Sequence, residues 1–231
     1  WNWPVFEGLK RFSELVDSPY HGFNFCCGVA AEGLEDPGAE LPPIVEYFSE
    51  RNGKRVPSDG HDGNHLCLTN PNVLDIVIAG VREDIQANPD GDYVSVSIND
   101  GGSATICDCK NCRTVAEREG ESGLLLSFVN RVADAIKDKH PDKYIVTLAY
   151  TSTQYPPKRI AARDNVIVWV CKGPRSSAVY LPMGTESREL ETMRQWTKHA
   201  RHVWLWDYGT GSFWPRHFFK PMTWKMDQQF K

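Results

Sequence analysis

Tyr93-Val94-Ser95-Val96-Ser97-Ile98-Asn99-Asp100-Gly101-Gly102 is the stretch on which the fold turns. Its first six residues alternate in the strand period, and most are β-branched or aromatic. A polar pair then closes the strand, and two glycines let the backbone turn sharply and admit a close approach. Working outward, the pattern repeats. Lys143-Tyr144-Ile145-Val146-Thr147-Leu148-Ala149-Tyr150, Val166-Ile167-Val168-Trp169-Val170-Cys171 and His202-Val203-Trp204-Leu205-Trp206-Asp207-Tyr208 are near-continuous apolar runs, each ending on a polar or aromatic residue. Residues 123–139 and 187–200 carry apolar side chains at helical spacing, and so do residues 72–86, entered through Thr69-Asn70-Pro71, a cap followed by proline. Strands that alternate with helices and are themselves apolar throughout predict a parallel sheet covered by helices.

An open doubly wound sheet usually carries a G-x-G-x-x-G turn after its first strand, and this chain has none. The reading is therefore α/β, a TIM-type (β/α)8 barrel treated as a single domain over residues 1–231. Parallel strands are expected at 93–99, 143–150, 165–171 and 202–208. About five strands are legible, including a short one at 22–30, where a barrel needs about eight. The barrel is thus expected to be incomplete at one or both ends, with flanking segments of the same protein supplying the rest. Upstream, residues 5–16 read as a helix and 31–66 as a long surface excursion holding a short helix at 43–51.

Composition narrows the function. The 231 residues include 41% hydrophobic and 24% charged side chains, enough for a real core. A net charge of −4 without a basic stripe argues against nucleic acid as the partner. The apolar runs are too short to span a bilayer. No leader is legible, and the chain starts at Trp1, so a secretion signal is expected to have been removed. Eight tryptophans are many. Their flat rings stack on sugars, although aromatic side chains also fill cores.

Three groups of residues carry chemistry. Asn99 and Asp100 close a strand before Gly-Gly, where an acid either protonates a leaving oxygen or simply forms a turn. Asp207 sits between Trp206 and Tyr208, a composition suited to a pyranose subsite, and Tyr150 ends another strand as a donor to a developing negative oxygen. Barrel sites are built from such C-terminal strand ends. Cys107-x-Cys109-x-x-Cys112 offers three soft ligands in what reads as a polar loop, and Cys67 is the natural fourth for a structural zinc. Free thiols or one disulfide are the competing reading. His61, His65 and His202 read as structural or surface residues.

Order and spacing of these stretches carry a resemblance. Leu66-Cys67-Leu68-Thr69-Asn70-Pro71, Ser95-Val96-Ser97-Ile98-Asn99-Asp100, Cys107-x-Cys109-x-x-Cys112, Phe128-Val129-Asn130-Arg131-Val132-Ala133, Thr147-Leu148-Ala149-Tyr150, Pro156-Pro157 and Trp206-Asp207-Tyr208 resemble the bacterial proteins grouped as domain of unknown function 4838. That group is similar to glycoside hydrolase family 163, which acts as an endo-β-N-acetylglucosaminidase, and more distantly to β-hexosaminidases and α-glucuronidases. The resemblance implies a glycan substrate and a retaining mechanism assisted by the substrate's acetamido group. It implies Asp100 as acid or acetamido-orienting group, Asp207 as second carboxylate, Asn99 and Tyr150 as polar partners, and Trp206 and Tyr208 as substrate-binding. Catalysis needs no cofactor on this reading, and an extracellular or periplasmic setting is expected. Asp100 is followed by Gly rather than Glu, so the Asp-Glu pair of the β-hexosaminidases is absent, and the strand with which the family usually continues past Lys231 is where a catalytic Glu is to be sought if Asp100 and Asp207 do not serve. The alternative is a non-catalytic carbohydrate-binding barrel with a structural zinc loop. A zinc-dependent hydrolase fits less well, because four thiolates leave no open position for water.

Overall fold

A computed structural model describes residues 42–55, 65–98, 107–171 and 188–206. The expected helix at 5–16 and strand at 22–30 lie outside them. The chain divides into two compact units, one formed by residues 1–90 with 98–113, the other by 91–97 with 114–231.

In the first unit, a 3-10 turn Pro42–Tyr47 leads into a hairpin of β1 (Glu50–Arg51) and β2 (Lys54–Arg55). The short helix expected at 43–51 is present as a 3-10 helix that stops at Tyr47, before the hairpin. Asn52 and Gly53 both take positive φ, 49° and 74°, the two-residue turn that Asn-Gly favours because it matches strand twist. The stretch is also not wholly surface. Phe48 is buried and bridges Leu66, and Ser49 N–H donates to His65 O at 2.8 Å. Helix α1 (Pro71–Ala87) starts as its sequence dictates, with Asn70 Oδ1 accepting from Asn72 N–H at 2.9 Å and Pro71 in the first turn. Its buried stripe is Val73, Leu74, Val81 and Ile85. From Lys110 the expected polar loop gives way to helix α2 (Lys110–Glu119), whose residues from Thr114 onward belong to the second unit. Cys112, Val115 and Ala116 are nearly all its apolar content, too little to show a period.

The second unit holds β3 (Tyr93–Ser95), helix α3 (Glu121–Lys137), β4 (Tyr144–Ala149), β5 (Val166–Cys171), helix α4 (Arg188–Trp196) and β6 (His202–Trp206). The strands form one sheet in the order β3-β4-β5-β6, every neighbouring pair parallel. The expected α/β parallel sheet is present. Among the described residues it has four strands, so a closed barrel is not formed by these residues alone. Val96 N–H extends the first ladder to Val146 O at 2.8 Å, and Ser97 Oγ accepts from Leu148 N–H at 3.1 Å.

One side of this sheet is covered by helices. Leu125 and Leu126 of α3, Thr147 and Ala149 of β4, Val168 of β5 and Trp196 of α4 meet around a small void. The connection from β4 to β5 has no α-helix. A 3-10 turn Thr151–Thr153 is followed by an irregular stretch lying on α3. Its backbone groups must still find partners, and buried side chains supply them. Asn130 Nδ2 donates to Ala161 O at 2.8 Å while its Oδ1 accepts from Arg163 N–H at 3.0 Å. Asn165 Nδ2 donates to Ala133 O at 3.0 Å, and Trp196 Nε1 to Gln154 O at 2.8 Å. Glu119, 4% exposed, accepts from Arg159 N–H and from its guanidinium at 3.0–3.1 Å. Gly123 is glycine for a packing reason. A Cβ there would collide with Glu119 Cβ and come within 3.2 Å of Pro157 Cβ.

Candidate functional site

The four expected metal ligands come together. The sulfurs of Cys67, Cys107, Cys109 and Cys112 all lie within 4.8 Å of one another, and all four residues are buried. Cys67 Sγ is 3.7 Å from Cys109 Sγ and 3.8 Å from Cys112 Sγ. A tetrahedron of sulfurs at about 2.3 Å from a zinc ion has an edge of about 3.8 Å, while a disulfide needs about 2.05 Å. The backbone explains the convergence. Cys67 N–H donates to Tyr47 O and Asp108 N–H to Glu50 O, each at 2.8 Å, so the two segments that carry the cysteines dock on the same cysteine-free stretch at 47–50.

Donors surround the sulfurs. Glu50 N–H points at Cys107 Sγ at 3.2 Å, Thr69 Oγ1 lies 3.1 Å from Cys112 Sγ, and Arg55 hydrogen-bonds Cys67 and Cys109. Cys109 N–H faces Cys107, and Cys112 N–H faces Cys109. The free tetrad shares its protons unevenly. Hydrogen bonds from Cys107 and Cys112 hold the Cys67 thiol well below its ordinary range. A bond from Cys112 pulls Cys107 down, but donation to Cys67 and burial outweigh it and push it up to about 11. Cys112, bonded to Cys107 and Cys67, is pushed up further. A dication bound here would have to displace the protons that Cys107 and Cys112 retain. Arg55 and Thr69 were not legible as part of it, because nothing in their spacing marks a contact with sulfur.

The second site is only partly described. Asn99, Asp100, Asp207 and Tyr208 lie outside the described residues. Tyr150, half-buried, directly follows β4, and Trp206 closes β6. Trp206 is 38% exposed and packs on Trp169 with ring centroids 4.8 Å apart. Trp169 also meets Trp204 edge-on at 5.7 Å, and Trp204 meets Tyr93 at 5.6 Å. Tyr144 and His202 make a similar contact at 5.3 Å, so His202 is a packed structural residue, as the sequence suggested. His65 is buried too, and burial together with nearby Arg51 lowers its pKa. The ring contacts all lie on the side of the sheet away from α3, since side chains alternate across a strand. Tyr93 on β3 touches Trp204 on β6 although a flat sheet would hold those strands about 14 Å apart. The sheet is curled toward its aromatic side. Trp169 and Trp204 meet because they are register partners on adjacent strands, whereas the Tyr93–Trp204 contact was missed because curvature, not strand period, makes it.

The family model for Domain of unknown function (DUF4838) matches residues 20–231. The chain belongs to that family. In this DUF4838 chain Pro156-Pro157 lies in the helix-free connection between β4 and β5, and Phe128–Ala133 is the part of α3 whose Asn130 holds that connection. Among solved structures, this DUF4838 chain is similar to a β-N-acetylhexosaminidase from Bacteroides fragilis NCTC 9343, at 17% identity and a TM-score of 0.43. The match covers 70% of the DUF4838 chain and spans 29% of the enzyme's length. No curated protein matches the chain.

Proposed function

We propose that this chain supplies part of a glycoside-hydrolase-type (β/α)8 barrel acting on β-linked N-acetylhexosamine-containing glycans, in an extracellular or periplasmic setting. The observation that carries the glycan reading is the aromatic side of the curled parallel sheet, with Trp206 half-exposed where β6 ends. Strand ends of this kind are where barrels build their sites. In this proposal Asp100 or Asp207 protonates the glycosidic oxygen as the C1–O bond breaks, and the substrate's own acetamido oxygen attacks C1. The second carboxylate orients the acetamido N–H, with Asn99 and Tyr150 as polar partners and Trp206 and Tyr208 against the sugar face. A water then opens the cyclic intermediate and restores the proton.

Tryptophan fluorescence tests the site. Chitooligosaccharides should quench or shift the emission of the wild-type chain, and Trp206→Ala should weaken binding about tenfold, a fraction of the usual worth of an aromatic contact. No response to any N-acetylhexosamine oligosaccharide would count against it. Binding without hydrolysis by the whole protein would favour the carbohydrate-binding alternative.

A structural zinc centre is proposed at Cys67, Cys107, Cys109 and Cys112, supported by sulfur separations of 3.7 and 3.8 Å that match a tetrahedral edge. Bound there, zinc would clamp the segment of Cys67 to that of Cys107, Cys109 and Cys112. All four positions would be taken by protein, so its contribution is to folding and not to the reaction. Elemental analysis of the reduced chain should give one zinc per chain. Iron in its place, or no metal, would overturn the assignment.

A further inference from the structure

Four thiolates around one dication leave about two uncompensated negative charges. All four cysteines are buried, where charge is poorly solvated. We propose that Arg55 is the counter-charge of this centre, its guanidinium bridging the sulfurs of Cys67 and Cys109 from outside the metal shell; the inference rests on the zinc reading above.

The hairpin makes the placement. The positive-φ turn at Asn52-Gly53 folds β2 back on β1, in the register Glu50 to Arg55. Arg55 Nη1 donates to Phe48 O at 2.7 Å, which fixes the plane of the fork. The Glu50 carboxylate is a looser partner, 3.8 Å from Nη2. The Arg55 side chain also hydrogen-bonds Cys67 and Cys109. Cys107 takes the Glu50 N–H and Cys112 faces the Thr69 hydroxyl. Every sulfur therefore has a donor from outside the ligand set. A thiol sulfur accepts weakly and a thiolate strongly, so donors aimed at all four favour the fully deprotonated, metal-bound form. Only the guanidinium among them carries charge, and only a planar fork reaches two sulfurs at once.

The test uses the whole chain loaded with Zn2+ or Co2+, with affinity read by competition against a chromogenic chelator. Arg55→Gln should weaken zinc binding about 10–100-fold, the usual cost of removing an outer partner. It should also move the thiolate-to-cobalt charge-transfer band to lower energy, because the sulfur lone pairs lose a stabilising donor. A merely structural arginine would not move that band. Arg55→Lys keeps the charge but not the fork, and should fall between the two in both readouts. If Arg55→Gln does not fold, the lysine variant decides. Either variant matching wild type in affinity and band position overturns the role of Arg55. A wild-type chain that binds neither metal overturns the zinc reading itself, which is a separate result.

Discussion

Replacing Asn130 by alanine should cost the fold about 2–4 kcal/mol. The side chain is 6% exposed and holds two backbone groups of the β4–β5 connection, Ala161 O at 2.8 Å and Arg163 N–H at 3.0 Å. In a helical crossover those groups would pair along the backbone, but this connection has no helix to do so. Each hydrogen bond is worth about 1 kcal/mol net, and both are only part-buried, so a group left without its partner costs toward the low end of about 1–3 kcal/mol. Water entering the space left by the amide would satisfy part of this, which sets the lower bound. Urea unfolding followed by circular dichroism measures the loss as a lower midpoint at unchanged slope. Asp134→Ala is the internal control. It removes an ion pair to Arg163 at 2.9 Å whose side chains are about half-exposed, 51% and 46%, so it should cost less than about 1 kcal/mol. An Asn130→Ala change within about 0.5 kcal/mol of wild type, or an equal loss for Asp134→Ala, would refute this reasoning.

Gly123→Ala should destabilise by about 1–3 kcal/mol despite the better helix former, because the added methyl meets Glu119 and Pro157; a thermal melt at or above wild type would contradict it. At Glu119 burial acts to raise the carboxyl pKa, but the Arg159 N–H and guanidinium outweigh it and hold it below the usual range. Its contribution is therefore present above the ordinary carboxyl pKa and lost as pH falls through the lower folded value. The stability gap between wild type and Glu119→Gln should persist at neutral pH and close in acid, and a gap independent of pH would exclude the pairing. Chelation of the zinc-loaded chain should lower its melting temperature, and Cys112→Ser should abolish that dependence. Equal melting with and without chelator would remove the metal from the account of stability.

The parts of this fold that were legible owe it to strong local chemistry. Asn70-Pro71 announces α1 because a cap and a ring-fixed φ act within one turn. The strands β4, β5 and β6 are apolar enough to be read directly, and the Cys-x-Cys-x-x-Cys spacing with Cys67 carried the thiol tetrad. The Asn52-Gly53 hairpin was missed although its turn signal is present, because Glu50-Arg51 and Lys54-Arg55 give it no apolar alternation. Helix α2 was missed for lack of a stripe. The β4–β5 connection has no period to find; it is held by Asn130, Glu119 and Trp196 from other elements. Arg55 and the Tyr93–Trp204 contact depend on a turn and on sheet curvature, which no window of sequence contains. Of the proposed catalytic set, Tyr150 and Trp206 stand at strand ends, while the acids lie outside the described residues.

The central proposal is best tested by hydrolysis. The whole protein should be incubated with chromogenic N-acetyl-β-hexosaminides and with complex N-glycans, beside Asp100→Asn and Asp207→Asn. The account predicts release of sugar by the wild type and a loss of about a hundredfold or more in rate for the variant that lacks the general acid. No hydrolysis of any N-acetylhexosamine-containing substrate, or full activity in both variants, would contradict it.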